Sequence, residues 1–136
     1  MGLSFNTSYS TSKTIPYKTR NDTLQYLTDE KILRERWAGG ITLRKRFKFY
    51  DFQTLELKYT HTIISDTVVK LNPNYFALNT KEQNFTQLLY TYSYDFRDLI
   101  AYPLRGRKFD ISINKVGILP SDHVDFWELT GAIAYF

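Results

Sequence analysis

The chain has 136 residues, 18 Lys and Arg against 14 Asp and Glu, and no Cys. This length suits one ordinary domain rather than two, and the lack of Cys excludes a disulfide framework and a thiolate zinc site. The net charge of +4 is spread over interspersed acids and bases, which reads as a mixed solvated surface rather than a nucleic-acid patch.

The 11 Tyr and 10 Phe set the character of the chain, because both residue types favour strands and Tyr favours wet-to-apolar boundaries. Near the start, Leu3, Phe5 and Tyr9 alternate with Ser4, Asn6, Ser8 and Ser10, which predicts a strand. The next stretch, Thr23 to Arg36, fits either a helical turn or a charged strand through its DEKILRER core. From Trp37 onward, Gly39, Ile41, Leu43, Phe47 and Phe49 share a face with Trp37, with Lys45 the exception, and Thr42, Arg44, Arg46 and Lys48 share the other. Tyr50-Asp51-Phe52 reads as a hairpin turn. Leu55, Leu57, Tyr59, His61 and Ile63 then alternate with Thr54, Glu56, Lys58, Thr60 and Thr62, a pattern that helical spacing fits far worse.

After a long connection from Ser65 to Asn84, a strand is predicted over Phe85 to Arg97. Leu88, Tyr90, Tyr92, Tyr94 and Phe96 lie on one side of it, and Gln87, Leu89, Thr91, Ser93, Asp95 and Arg97 on the other. Another follows Gly106, with Arg107, Phe109, Ile111 and Ile113 against Lys108, Asp110, Ser112 and Asn114. The last runs from about Val124 to the end, with Trp127, Leu129, Gly131, Ile133 and Tyr135 against Glu128, Thr130, Ala132 and Ala134. The fold class expected is all-β: an antiparallel meander of six or seven strands in a single segment covering residues 1–136.

Such strands satisfy their pattern in two ways. A soluble barrel or sandwich turns its apolar face inward, whereas an outer-membrane barrel turns it to lipid and encloses water with its polar face. Strand length favours the membrane, since ~9–11 tilted residues cross a bilayer. Alternating short and long connections favour it too. On that reading Arg44, Arg46, Lys48, Glu56 and Lys58 are lumen-facing charges, and the lipid bilayer is a partner.

The stretch YDFRDLIAYPLRG sharpens the reading. Asp95 and Arg97 are two apart and point to the same side of one strand. Asp98 ends that strand, Pro103 fixes a turn dihedral, and Gly106 permits a positive one. This spacing, followed at once by an alternating strand, resembles a hairpin in the barrel of the BamA/TamA outer-membrane assembly family, the bacterial surface antigen family. RERWAGGITLRKRF and TIISDTVVKLNPNYF are similar to the versions in Bacteroidetes-type members, and the resemblance covers about Arg34 to Phe136. It implies a larger Gram-negative outer-membrane barrel that helps insert or translocate other outer-membrane proteins, which would be its clients or assembly partners. Asp95, Arg97, Asp98, Pro103 and Gly106 are then structural motif residues.

Two family features are missing from these residues: periplasmic POTRA repeats and the lumen-reaching lid motif. The start, MGLSFNTSYSTS, does not read as a secretion leader, and Phe136 falls on the polar rather than the apolar side of the last strand. A partial barrel cut from a longer chain is therefore expected.

Catalytic chemistry is not expected. His61 and His123 are the two histidines, in no metal-ligand spacing, and no nucleophile elbow or phosphate-binding glycine loop occurs. No metal or cofactor is expected, and no nucleic acid, since the aromatics and bases lie mostly on opposite faces. The alternative function is a soluble β-barrel or sandwich that binds an apolar ligand or protein partner.

Overall fold

A computed structural model describes residues 1–76 and 80–136. Residues 77–79, part of the long predicted connection, lie outside the described set. The elements run β1 (Gly2–Ser12), β2 (Thr14–Arg20), β3 (Thr23–Thr28), β4 (Arg34–Arg46), β5 (Asp51–Ile64), α1 (Asp66–Leu71), β6 (Glu82–Arg97), β7 (Gly106–Val116) and β8 (Phe126–Tyr135). Six strands form one sheet in the order β1-β4-β5-β6-β7-β8, and β2 and β3 form a separate hairpin. The sheet is an antiparallel meander, as expected, and among the described residues β1 and β8 are its two unpaired edges.

Pairing across the six-stranded sheet carries no register shift, so the period-two pattern of each strand adds up over the whole surface. One row runs Leu3, Leu43, Leu55, Tyr90, Ile113, Leu129, and the next on the same side runs Phe5, Ile41, Leu57, Leu88, Lys115, Trp127. Between them, on the opposite side, run Ser4, Thr42, Glu56, Leu89, Asn114 and Glu128. The sheet therefore has one apolar face and one largely polar face.

Nothing among the described residues covers the apolar face: Phe5 is 70% exposed, Trp127 69% and Leu129 71%. Total accessible surface is 9862 Å², against roughly 7,400 Å² for a compact folded protein of this mass. The excess is what an unburied sheet face leaves behind.

The hydrophobic core lies elsewhere. Ile15 of β2, Leu33 before β4, Ile64 at the end of β5, Val68 of α1 and Phe76 form one buried cluster, with Leu27, Val69 and Tyr75 packed against it. Each such buried aliphatic contributes about 1.5–3 kcal/mol relative to exposure. The cluster sits at the end of the sheet that carries the long connections: 13–33, 65–81 and 117–125. Ile64 shares the polar face, and there Ala38, Thr60 and Thr62 beside it are also buried. Asn72 Nδ2 ties α1 to β2 by donating to the Tyr17 carbonyl at 2.7 Å.

Two local expectations are corrected and one ambiguity is resolved. The first hairpin turn is Phe47–Tyr50, and Asp51 and Phe52 belong to β5. Phe47 N donates to Asp51 O at 3.0 Å, and Arg46 Nε donates to the carbonyls of Lys48 and Phe49, both at 3.1 Å. Those bonds close the strand at Arg46, so Lys48 sits in the turn rather than on the lumen-facing side of a strand. The ambiguous stretch from Thr23 to Arg36 is strand at both ends, as β3 and the start of β4. Finally, eight strands are present: the six of the sheet plus the β2–β3 hairpin, whose Asn21 and Asp22 both adopt positive φ in a two-residue turn.

Candidate functional site

The predicted motif residues gather where β6 leads into β7. Asp95 and Arg97 project from the polar face of β6, and Arg97 grips the Asp95 carboxylate with Nε and a terminal nitrogen, each at 2.6 Å. A planar fork on a carboxylate holds both side chains in one orientation. A further Arg97 nitrogen donates to Ile100 O at 3.2 Å, which fixes the start of the following loop.

Asp98 organises that loop. Its Oδ1 accepts from the backbone N–H groups of Leu99 (2.9 Å), Leu104 (3.1 Å) and Arg105 (3.2 Å), while Asp98 N donates to Arg105 O at 3.1 Å. Burial pushes this carboxyl up, but the Arg105, Leu99 and Leu104 amides outweigh it and hold the group below its ordinary value. Pro103 lies just before Leu104 in a loop with all peptide bonds trans. Gly106 closes the loop at φ +131, and a Cβ there would stand 2.1 Å from Phe96 O. Only glycine fits that position.

Register adds the partners that a single strand could not reveal. Asp95 faces Lys108, and Ser93 faces Asp110. Lys108 Nζ pairs with Asp110 Oδ2 at 2.7 Å, and Ser93 Oγ donates to Asp110 Oδ1 at 2.5 Å. The β6–β7 part of the polar face thus carries two neutralised ion pairs. They border a hollow of ≈ 400 Å³ that Arg44, Phe52, Thr54 and Thr91 also line. Phe136 continues past β8, bonded to Gly106 through both backbone groups, with its ring 5.9 Å from the Arg97 guanidinium.

The other predicted charges stay outside these ion pairs, although Arg44 lines the same hollow. Arg44, Arg46, Glu56 and Lys58 lie on the polar face, and none is in an ion pair among the described residues. Arg44 and Arg46 flank the Phe52 ring at 5.7 and 5.2 Å. The unpaired basic side chains of the polar face are therefore concentrated on β4, with Arg44 bordering the hollow that the paired charges of β6 and β7 line.

A second clasp, not anticipated, holds the connection between β7 and β8. Asp122 Oδ2 accepts from the N–H groups of Ile118 (2.8 Å), Leu119 (2.9 Å) and Thr86 (3.1 Å). Burial raises its carboxyl, and the Leu119, Ile118 and Thr86 amides together bring it below its ordinary value. His123 Nδ1 accepts from Asn84 N at 3.2 Å, so one ring nitrogen is engaged in backbone pairing. Gly117, at φ +83, repeats the role of Gly106 at the other end of β7. The sequence signal was available: each glycine directly flanks an alternating strand. Among the described residues no group of three potential metal ligands is found.

A long, regular meander with one uncovered apolar face, ion pairs on the other, and short turns opposite long loops is the architecture of a membrane β-barrel wall. The family model for the Omp85 superfamily domain matches residues 2–136, and the chain belongs to that superfamily, a group of outer-membrane proteins concerned with assembly and translocation. No curated protein and no solved structure matches the chain.

Proposed function

We propose that this chain is a wall segment of an outer-membrane β-barrel of BamA/TamA type, which helps insert or translocate other outer-membrane proteins without catalysing a reaction. The observation that carries the reading is the mainly apolar face of β1 and β4–β8, uncovered among the described residues and backed by a largely polar face. In this role the apolar rows meet hydrocarbon, and Arg44, Arg46, Glu56 and Lys58 face water inside the barrel. Asp95 and Arg97 hold the β6–β7 hairpin in register, and Asp98, Pro103 and Gly106 shape its turn. The end with turns 47–50 and 98–105 faces the periplasm, and the end with the long connections faces outward. A soluble barrel or sandwich would bring the Tyr, Trp and Leu rows into a dry interior, whereas here Trp37, Leu55, Leu57, Leu88, Trp127 and Leu129 are exposed and the central tyrosines are only half-buried.

The test is biochemical. The purified chain should need detergent or lipid to stay in solution and should run differently on a gel before and after heating. A chain that is monomeric and stable without detergent contradicts the reading.

A further inference from the structure

We infer that the turn-end rim of the apolar face engages the phosphates of anionic lipid headgroups at two separate positions, one at Lys45 and one, three strands away, at Arg107. The inference rests on the lipid-facing reading above and adds to it a headgroup chemistry and a location.

Lys45 is the next-to-last residue of β4, and Arg107 is the second residue of β7. Both project from the apolar face: Lys45 pairs with Gln53 in the line that continues to Tyr92, and Arg107 pairs with Phe96 and Tyr135. A charge on the lipid side of a barrel is tolerated near the interface and not at mid-depth, so these two cations mark the headgroup level. Their neighbours agree with that level. Lys45 Nζ lies 4.4 Å from the centre of the Phe47 ring, and the Arg107 guanidinium lies 5.7 Å from that of Tyr94. Tyr94, Arg107 and Tyr135, with Phe109 and Ile133, line an open hollow of ≈ 380 Å³ on this face. Tyrosines beside a cation at the edge of an apolar band suit the interface, and the guanidinium fork matches phosphate oxygens.

Charge balance gives the rim its sign. Neither Lys45 nor Arg107 has an ion-pair partner among the described residues. Asp51, the acid that β5 places on the same face at this end, accepts a hydrogen bond from the Tyr92 hydroxyl at 2.7 Å. Lys48 and Arg105 in the adjoining turns add positive charge, so four cations stand against the two acids Asp51 and Asp98 at this end. The loop end of the same face is the reverse: Glu35 and Glu82 project from it, and Lys115 is neutralised by Asp125. One rim of the apolar face is therefore poised for anions and the other is not.

The experiment compares association of the full chain with vesicles of phosphatidylcholine alone and with vesicles containing about one-fifth phosphatidylglycerol, at low salt, read by the heat-dependent gel shift. Stronger association with the anionic vesicles is expected, by about fivefold for each cation. The double variant Lys45→Gln/Arg107→Gln should lose the preference, Lys45→Arg/Arg107→Lys should keep most of it, and Lys58→Gln on the polar face should keep all of it. Equal association of the unaltered chain with both vesicles overturns the inference, and that comparison needs no variant to fold. A preference that survives the double Gln substitution also overturns it. No association with either vesicle overturns the lipid-facing reading itself, and this inference with it.

Discussion

The two ends of the sheet are closed by different physics. At the loop end, Ile15, Leu33, Ile64, Val68 and Phe76 make a dry cluster of the kind that holds any small soluble fold together. At the turn end no such cluster exists among the described residues. There the strands are joined by Asp98 collecting three amides, Arg46 reaching back to two turn carbonyls, Arg97 gripping Asp95, and Gly106 adopting a backbone that no other residue fits. Between the ends lies a sheet whose apolar side is covered by nothing among the described residues. The contrast teaches that this fold does not rely on one central core. One rim is fastened hydrophobically and the other by directed polar contacts, and on the proposed reading the apolar span between them meets hydrocarbon.

Substitutions at each end sharpen that contrast. The largest effect is expected at Gly106, where a side chain meets Phe96 O at 2.1 Å with φ at +131. Gly106→Val should leave no heat-modifiable folded species. Gly131→Ala, where a Cβ meets nothing within 4 Å, should fold like the unaltered chain. Next comes the core. Leu33 is 1% exposed, and Leu33→Ala should cost about 2–5 kcal/mol in a denaturant titration in detergent. Leu129→Ala, the same change at a residue 71% exposed and solvated by detergent, leaves no cavity and should cost less, about 1–2 kcal/mol. Equal costs would mean that the apolar face is packed after all.

The smallest effect is local and depends on pH. The Asp98 and Asp122 carboxyls titrate below their ordinary value in the folded chain, so their contribution is present above the unfolded value and is lost as pH falls through the folded one. Loops 98–105 and 117–125 should therefore open below about pH 4 while the sheet persists, seen as pepsin cleavage confined to those loops. Asp122→Ala should open the second loop even at neutral pH, at a cost of about 1 kcal/mol after allowing for solvent exposure.

The sheet was largely legible in the sequence because each of its strands lies between two different environments, and a period of two survives wherever that holds without a bulge. The β2–β3 hairpin was hidden for the complementary reason. Its pairing shifts between Pro16 and Lys18, and its turn uses Asn21-Asp22 rather than a glycine pair. Helix α1 spans six residues, too few to display a helical period. The first turn was displaced because FKFYDF sets aromatics on both parities, which erases the contrast that marks a strand end. In the site, the Asp95–Arg97 pair and the Gly106 turn could be read from one strand and its exit. The link from Ser93 to Asp110 and the clasp of Asp122 on Thr86 could not, since both depend on which residues of distant strands come level.

The most direct measurement uses the chain's two tryptophans, Trp37 and Trp127, which both project from the apolar face. Folded into vesicles whose acyl chains carry bromine, both should be quenched, and aqueous iodide should leave them bright. Tryptophan emission quenched by iodide and untouched by the brominated chains would contradict the assignment of this face to hydrocarbon.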